Sequence, residues 1–152
     1  CKPPGPNLKT TSGAAPMQLE IYQQETERLA RDLQAMLYSA RQRLLAAQSL
    51  SPLEQAGVLH ALQVLTENAI GKAKLLIKQT GQSVPVSAYD AFALLHRDQR
   101  ISDQAMRDWT AAIGLRNRIV HDYLNVDMSL IELLIKEEKY QLQLQFLLAP
   151  IQ

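Results

Sequence analysis

The sequence predicts an all-α fold, an antiparallel up-and-down bundle of four to five helices. Three observations carry this. Apolar residues recur at three- and four-residue spacing over long stretches. Residues of capping type, Ser51, Ser87, Ser102 and Asp127, stand where those stretches begin. No segment shows the sustained alternation or hairpin turn chemistry of strands. Short connections between long helices favour antiparallel neighbours, and 152 residues can bury one core without disulfides or metal.

Residues 1–16 (CKPPGPNLKTTSGAAP) hold four prolines and two glycines, and their composition predicts a disordered leader of upstream or added origin ahead of a helical domain over 17–152. From about Leu19 to Leu50, the positions Leu29, Leu33, Met36, Ala40, Leu44 and Ala47 mark a long amphipathic helix. Ser51-Pro52-Leu53-Glu54 is a capping box with Pro at the first helical position, so it ends that helix and starts the next. The second helix runs through Val58, Leu62, Leu65, Ala69, Ala73 and Leu76 to a stop at Gly81. After the extended Val84-Pro85-Val86, Ser87 caps a shorter helix through Phe92 and Leu95 that ends near Asp98. Ser102 opens a fourth helix, in which Ala105, Trp109, Ala112, Ile113 and Leu115 lead to the polar string at 116–123. Asp127 caps a last helix over Met128–Leu148, with Pro150 beyond it. Its Leu142 and Phe146 lie off the main apolar stripe, as a subunit contact or as part of a wide core face.

Composition narrows the chemistry. Cys1 is the only cysteine and stands at the extreme end, a remnant rather than a reactive thiol, so no intrachain disulfide framework or thiolate metal site is available. No apolar run approaches the roughly 20 residues of a membrane span, and no charged-then-apolar leader is present, so a cytoplasmic protein is expected. The chain has 16 basic and 15 acidic side chains; Lys2 and Lys9 fall in the first 16 residues, which hold no acid, so the remainder carries a net charge of −1. Bulk charge therefore does not make it a duplex-binding clamp. Arg97, Arg100, Arg107, Arg116 and Arg118 crowd the central third but are diluted by Asp98, Asp103 and Asp108, the pattern of a solvated face. His60, His96 and His121 each lack a Glu three residues earlier, which excludes the di-iron motif of helical bundles. Gly-rich phosphate loops and a Gly-x-Ser-x-Gly elbow are also missing. No metal and no cofactor are expected.

The string Arg116-Asn117-Arg118-Ile119-Val120-His121-Asp122-Tyr123 is the exception to this plainness. It sets a permanent cation, an amide, a titratable imidazole and a phenol within about two helical turns. Arg offers a planar fork of donors suited to phosphate oxygens, and His moves its proton near neutral pH. On a continuous helix Asn117 and His121 stack at i, i+4 and Arg116 and Tyr123 at i, i+7, with Val120 and Leu124 making the surroundings semi-apolar. His60 and His96 follow apolar pairs and read as half-buried structural histidines.

The string RNRIVHDY resembles the signature of HEPN domains, specifically the HepT toxins of HEPN/MNT toxin–antitoxin pairs. The flanking Gly114-Leu115 and Leu124-Asn125-Val126-Asp127, and the upstream stretch from Leu62 to Ile70, are similar to that family as well. The resemblance extends from Met17 onward. It implies a helical bundle, a homodimer, and a metal-independent endoribonuclease whose composite site sits at the dimer interface, of the type VII-like class. The catalytic pair it implies is Arg116 and His121; Asn117 supports them, and Arg118 pairs with substrate phosphate. It further implies that Tyr123 accepts AMP from a cognate MNT nucleotidyltransferase antitoxin, which silences the toxin. RNA cleavage without metal needs a base for the 2′-OH, an acid for the leaving 5′-oxygen and a cation for the phosphorane. One imidazole cannot serve as base and acid together, whereas two copies across a two-fold axis can.

Two other readings stay open on the residues alone. The bundle could be a noncatalytic module that binds a nucleotidyltransferase or a nucleotide. Alternatively, Arg116, Asn117 and His121 could form a network that only fixes a helix end, and Tyr123 could pack its ring in the core.

Overall fold

A computed structural model of the chain describes residues 5–151, with side chains from Met17 on. It is all-helical, with six α-helices and one 3₁₀ turn: α1 (Gly5–Leu45), α2 (Pro52–Gln79), α3 (Ala88–Arg97), α4 (Asp103–His121), the turn Tyr123–Asn125, α5 (Met128–Lys136) and α6 (Gln141–Leu148). The backbone of α1 starts at Gly5 and not near Leu19, so helix runs through residues 5–16, where composition predicts disorder. Pro6 falls in the first turn, where a missing N–H leaves no intrahelical bond unmade. The expectation for Cys1 lies outside the described residues.

The capping residues act as the sequence predicts. The Ser51 hydroxyl accepts from Glu54 N at 3.1 Å and the Glu54 carboxylate from Ser51 N at 2.8 Å. The bond from the Ser51 amide is the main reason the Glu54 carboxyl lies below its ordinary value. Ser87 and Ser102 accept from Asp90 N and Ala105 N, each at 3.0 Å. Asp127 accepts from Ser129 N and Leu130 N.

The expected last helix is instead two. Glu138 takes a left-handed conformation with φ 56°, its N–H donates to Ile135 O at 3.1 Å, and Lys139 N–H donates to Leu134 O at 3.0 Å. This is a helix stop normally given to Gly. The charged run Lys136–Lys139 keeps the stop at the surface, and Arg41 of α1 reinforces it by donating to Lys136 O at 3.0 Å. Because the break resets the helical phase, Ile131 and Ile135 enter the core while Leu130 and Leu133 are exposed.

α2 is the axle of the bundle and packs against α1, α3, α4 and α6. Its buried residues include Val58, Leu62, Leu65, Ala69, Ala73 and Ile77. From α1 come Ala30, Leu33, Leu37, Ala40 and Leu44, whereas Met36 is exposed. Phe92, Trp109 and Phe146 join α3, α4 and α6, with Phe92 stacked on Trp109 at 4.2 Å and Trp109 edge-on to Phe146 at 5.2 Å. Phe146 and Leu142 are partly buried and both pack against the core, as a wide core face requires.

Lys72 secures the end of α6. It is 1 % exposed, and its ammonium donates to Phe146 O at 2.8 Å, to Leu147 O at 3.2 Å and to Ala149 O. Gln23 of α1 also donates to Leu147 O at 3.1 Å. Removal from water pushes the Lys72 pKa down to about 8, partly opposed by the Glu27 carboxylate. No described helix is long and apolar enough to cross a membrane.

Candidate functional site

The last two turns of α4 present the polar string, and the helix divides it between two faces. Ile119 is 3 % exposed and anchors the inner face. Arg116, one turn earlier on that side, is drawn partly inward, with its Nη1 3.8 Å from Glu67 Oε2 of α2. Gln63 donates to the same Glu67 oxygen at 3.2 Å and so fixes the carboxylate that faces the guanidinium. Arg116 Nε is buried without a hydrogen-bond partner. Asn117, Arg118 and His121 lie on the outer, exposed side.

Asn117 and His121 remain one turn apart on that outer face, as the i, i+4 spacing predicts. Among the described residues neither side chain makes a hydrogen bond, and none links Arg116 to either of them, so no Arg-Asn-His network ties down the helix end. Arg118 Nη1 lies 3.6 Å from Asp122 Oδ2, an exposed i, i+4 pair worth little in water. This cation is loosely held.

Tyr123 departs from the sequence expectation. α4 ends at His121, and Asp122 leaves helical geometry at φ −146°, ψ 46°. Tyr123 therefore belongs to the 3₁₀ turn, closed by Val126 N–H donating to Tyr123 O at 3.2 Å and Asn125 Nδ2 donating to Asp122 Oδ1 at 2.7 Å. The i, i+7 stacking of Arg116 and Tyr123 is lost, because no helix continues through the seven residues. The phenol is 49 % exposed rather than packed in the core, and Leu124, at 95 %, projects into solvent. Val120 is also exposed. The two apolar residues thus form an open rim and not the walls of a groove.

A groove does exist on the inner side of the string. It encloses about 400 Å³ between α2, α4, α5 and α6, with Leu62, Ala112, Leu115, Leu134 and Leu142 among its walls and Arg116 in its lining. Thr66 and Gln143 are its buried polar residues. The sequence reading singled out neither Glu67 nor Gln143. Glu67 stands in a helical stretch where a carboxylate reads as surface, and Gln143 alternates with Leu142 and Leu144 in a run whose phase depends on the break at Glu138.

The other histidines have plainer settings. His96 Nε2 lies 2.6 Å from Asp103 Oδ1, a bond between α3 and α4 that is the first cause of the lowered Asp103 pKa, and His96 is half-buried as expected. His60 is exposed, contrary to expectation, because the core face of α2 takes its neighbours Val58, Leu59 and Ala61 instead. Among the described residues no three His, Cys, Asp or Glu side chains converge to hold a metal ion.

Two solved structures are similar to this fold. One is described as a toxin–antitoxin with AMP-PNP; it is 20% identical, covers 78% of this chain and 97% of its own, and superposes with a TM-score of 0.59. The other is a tri-AMPylated HEPN toxin from Shewanella oneidensis in complex with an MNT antitoxin; it is 23% identical, covers 85% of this chain and 93% of its own, with a TM-score of 0.66. Comparison with curated proteins gave no match. The family model for HepT-like ribonucleases matches residues 19–146, which takes in the four helices around the α2 axle and the whole of the polar string. The chain belongs to the HepT-like ribonuclease family.

Proposed function

We propose that the chain is a metal-independent endoribonuclease toxin of a type VII-like HEPN/MNT pair, with residues 17–152 as the acting domain. The observation that carries this is the placement of Arg116 and His121 within the last two turns of α4, with the imidazole exposed and, among the described residues, free of hydrogen bonds, in a member of the HepT-like family. His121 exchanges the proton of the ribose 2′-OH or of the leaving 5′-oxygen. Arg116 meets the phosphorane charge, and its loose ion pair with Glu67 leaves guanidinium donors for that task. Asn117, one turn before His121 on the same exposed face, supports it at the substrate, and Arg118 takes a neighbouring phosphate. Two chains related by a two-fold axis supply the two imidazoles.

Tyr123 is the regulatory residue in this reading. Its half-exposed phenol stands on a turn two residues beyond His121, open to a nucleotidyltransferase of the MNT type that adds AMP to it. A bulky anionic group there would crowd the imidazole and pair with the loosely held Arg118. The partner with ATP and Mg²⁺ should add mass in AMP units to this chain at Tyr123, and Tyr123→Phe should accept none. Modification of Tyr140 instead would end the assignment.

The reading as a whole is tested by His121→Ala. Cleavage of RNA should fall by about 10²–10⁴-fold, while stability should stay within about 0.5 kcal/mol because the side chain is exposed. The exposed Val120 and Leu124 favour a second reading, a noncatalytic module that docks a nucleotidyltransferase. That reading predicts no cleavage by the wild-type chain and partner binding lost on Leu124→Asp.

A further inference from the structure

We infer that the groove between α2, α4, α5 and α6 is a nucleobase subsite. The inference rests on the ribonuclease reading for its biological substrate, but its binding chemistry stands on the groove itself. Gln143 is 94 % buried, with 6 % of its surface exposed, and its Nε2 donates to Thr66 Oγ1 at 3.3 Å while its Oε1 has no hydrogen-bond partner. A buried amide end left unpaired costs about 1–3 kcal/mol, which a ligand can recover once a turn of the Gln143 amide brings that end to the groove. The Thr66 hydroxyl can donate or accept and so can partner either end of the amide. What the groove then offers is one amide edge, acceptor or donor, in apolar surroundings.

That combination selects among ligands. A phosphate alone gains nothing from walls such as Leu62, Ala112, Leu115 and Leu142, and an acyl chain would leave the Gln143 amide unpaired. A nucleobase meets both demands, because its flat ring buries against apolar side chains and its edge carries donors and acceptors side by side. The volume of about 400 Å³ lies within the range of small-ligand pockets, roughly 300–1,000 Å³. Arg116 lines the same groove, so a base seated on Gln143 has a cation nearby for its phosphate. The arrangement gives Arg116 a second duty, positioning the nucleotide whose phosphate it contacts.

The test is direct binding of the four nucleoside 3′-monophosphates to the full chain, by calorimetry or saturation-transfer NMR, with ribose 5-phosphate and inorganic phosphate as comparisons. At least one nucleotide should bind, and the two base-free probes should not compete with it. Gln143→Leu should weaken binding about tenfold, the equivalent of one hydrogen bond, and Ala112→Phe, which fills the groove, should abolish it. Equal binding of ribose 5-phosphate, or unchanged affinity in Gln143→Leu, overturns the proposal. So does an Ala112→Phe chain that remains folded and binds normally, or one that changes only from dimer to monomer, which would make the groove a subunit contact. A chain that binds nucleotide through Gln143 yet cuts no RNA retracts the ribonuclease reading alone. One that cuts RNA through His121 with KM unmoved by Gln143→Leu retracts the base subsite alone.

Discussion

Residues of one short string have different roles because α4 turns them toward different neighbours. Arg116 is steered inward by Ile119 and Glu67, whereas Asn117 and His121 face solvent. The residue types at 116–123 were legible in sequence, and so was the pairing of Asn117 with His121. The inward turn of Arg116 was not, since it depends on a carboxylate from another helix. Lys72 shows the same limit more strongly: an isolated Lys on α2 reads as surface, yet it is the buried donor to three carbonyls at the end of α6. Its depressed pKa fixes a sign. Between about 8 and 10.5 the unfolded chain holds a proton that the folded chain has released, so this group adds stability as pH rises through that window and loses it as pH falls through about 8. Urea unfolding followed by the fluorescence of Trp109 should therefore show wild type gaining on Lys72→Met by roughly 1–3 kcal/mol across that window. A difference independent of pH would mean that the ammonium is not desolvated.

At the scale of the element, the starts of α2, α3, α4 and α5 were readable, as were the end of α2 at Gly81 and the end of α3 near Asp98, whereas the break between α5 and α6 was not. Ser51, Ser87, Ser102 and Asp127 cap through their own side chains, a local property. The stops after α1, α3 and α5 fall on Ala47, Gln99 and Glu138 in left-handed conformation, residues that carry no stop signal, so Met128–Leu148 read as one helix. At the end of α5 a tertiary contact supports the stop, the Arg41 bond to Lys136 O. Glu138→Gly should then be neutral or stabilising by up to about 1 kcal/mol, because glycine adopts positive φ freely and the Arg41–Glu138 pair, at 3.7 Å, is weak. Glu138→Val should cost about 1–2 kcal/mol. Thermal melts of the two variants decide this, and equal melting temperatures would show that the backbone at 138 relaxes.

For the whole molecule, the all-α bundle and its family followed from periodicity, capping and one motif, while the four-to-five-helix estimate fell short by the α5–α6 break. The centrality of α2 could not be read from pattern, since its buried residues spread over much of its surface to meet four neighbours. In the proposed mechanism each chain brings one motif imidazole, that of His121, so acid and base come from two copies and the cleaving species should sediment as a homodimer. The central claim is that His121 and Arg116 cut RNA by transesterification without metal. Its most direct test is the chemistry of the new ends when the purified chain is incubated with RNA in EDTA. The account predicts 2′,3′-cyclic phosphate and 5′-hydroxyl ends from wild type, none from His121→Ala, and no cleavage of an RNA carrying 2′-deoxyribose at the cut position. Cleavage that requires added Mg²⁺, or that proceeds equally at the 2′-deoxy position, would contradict it.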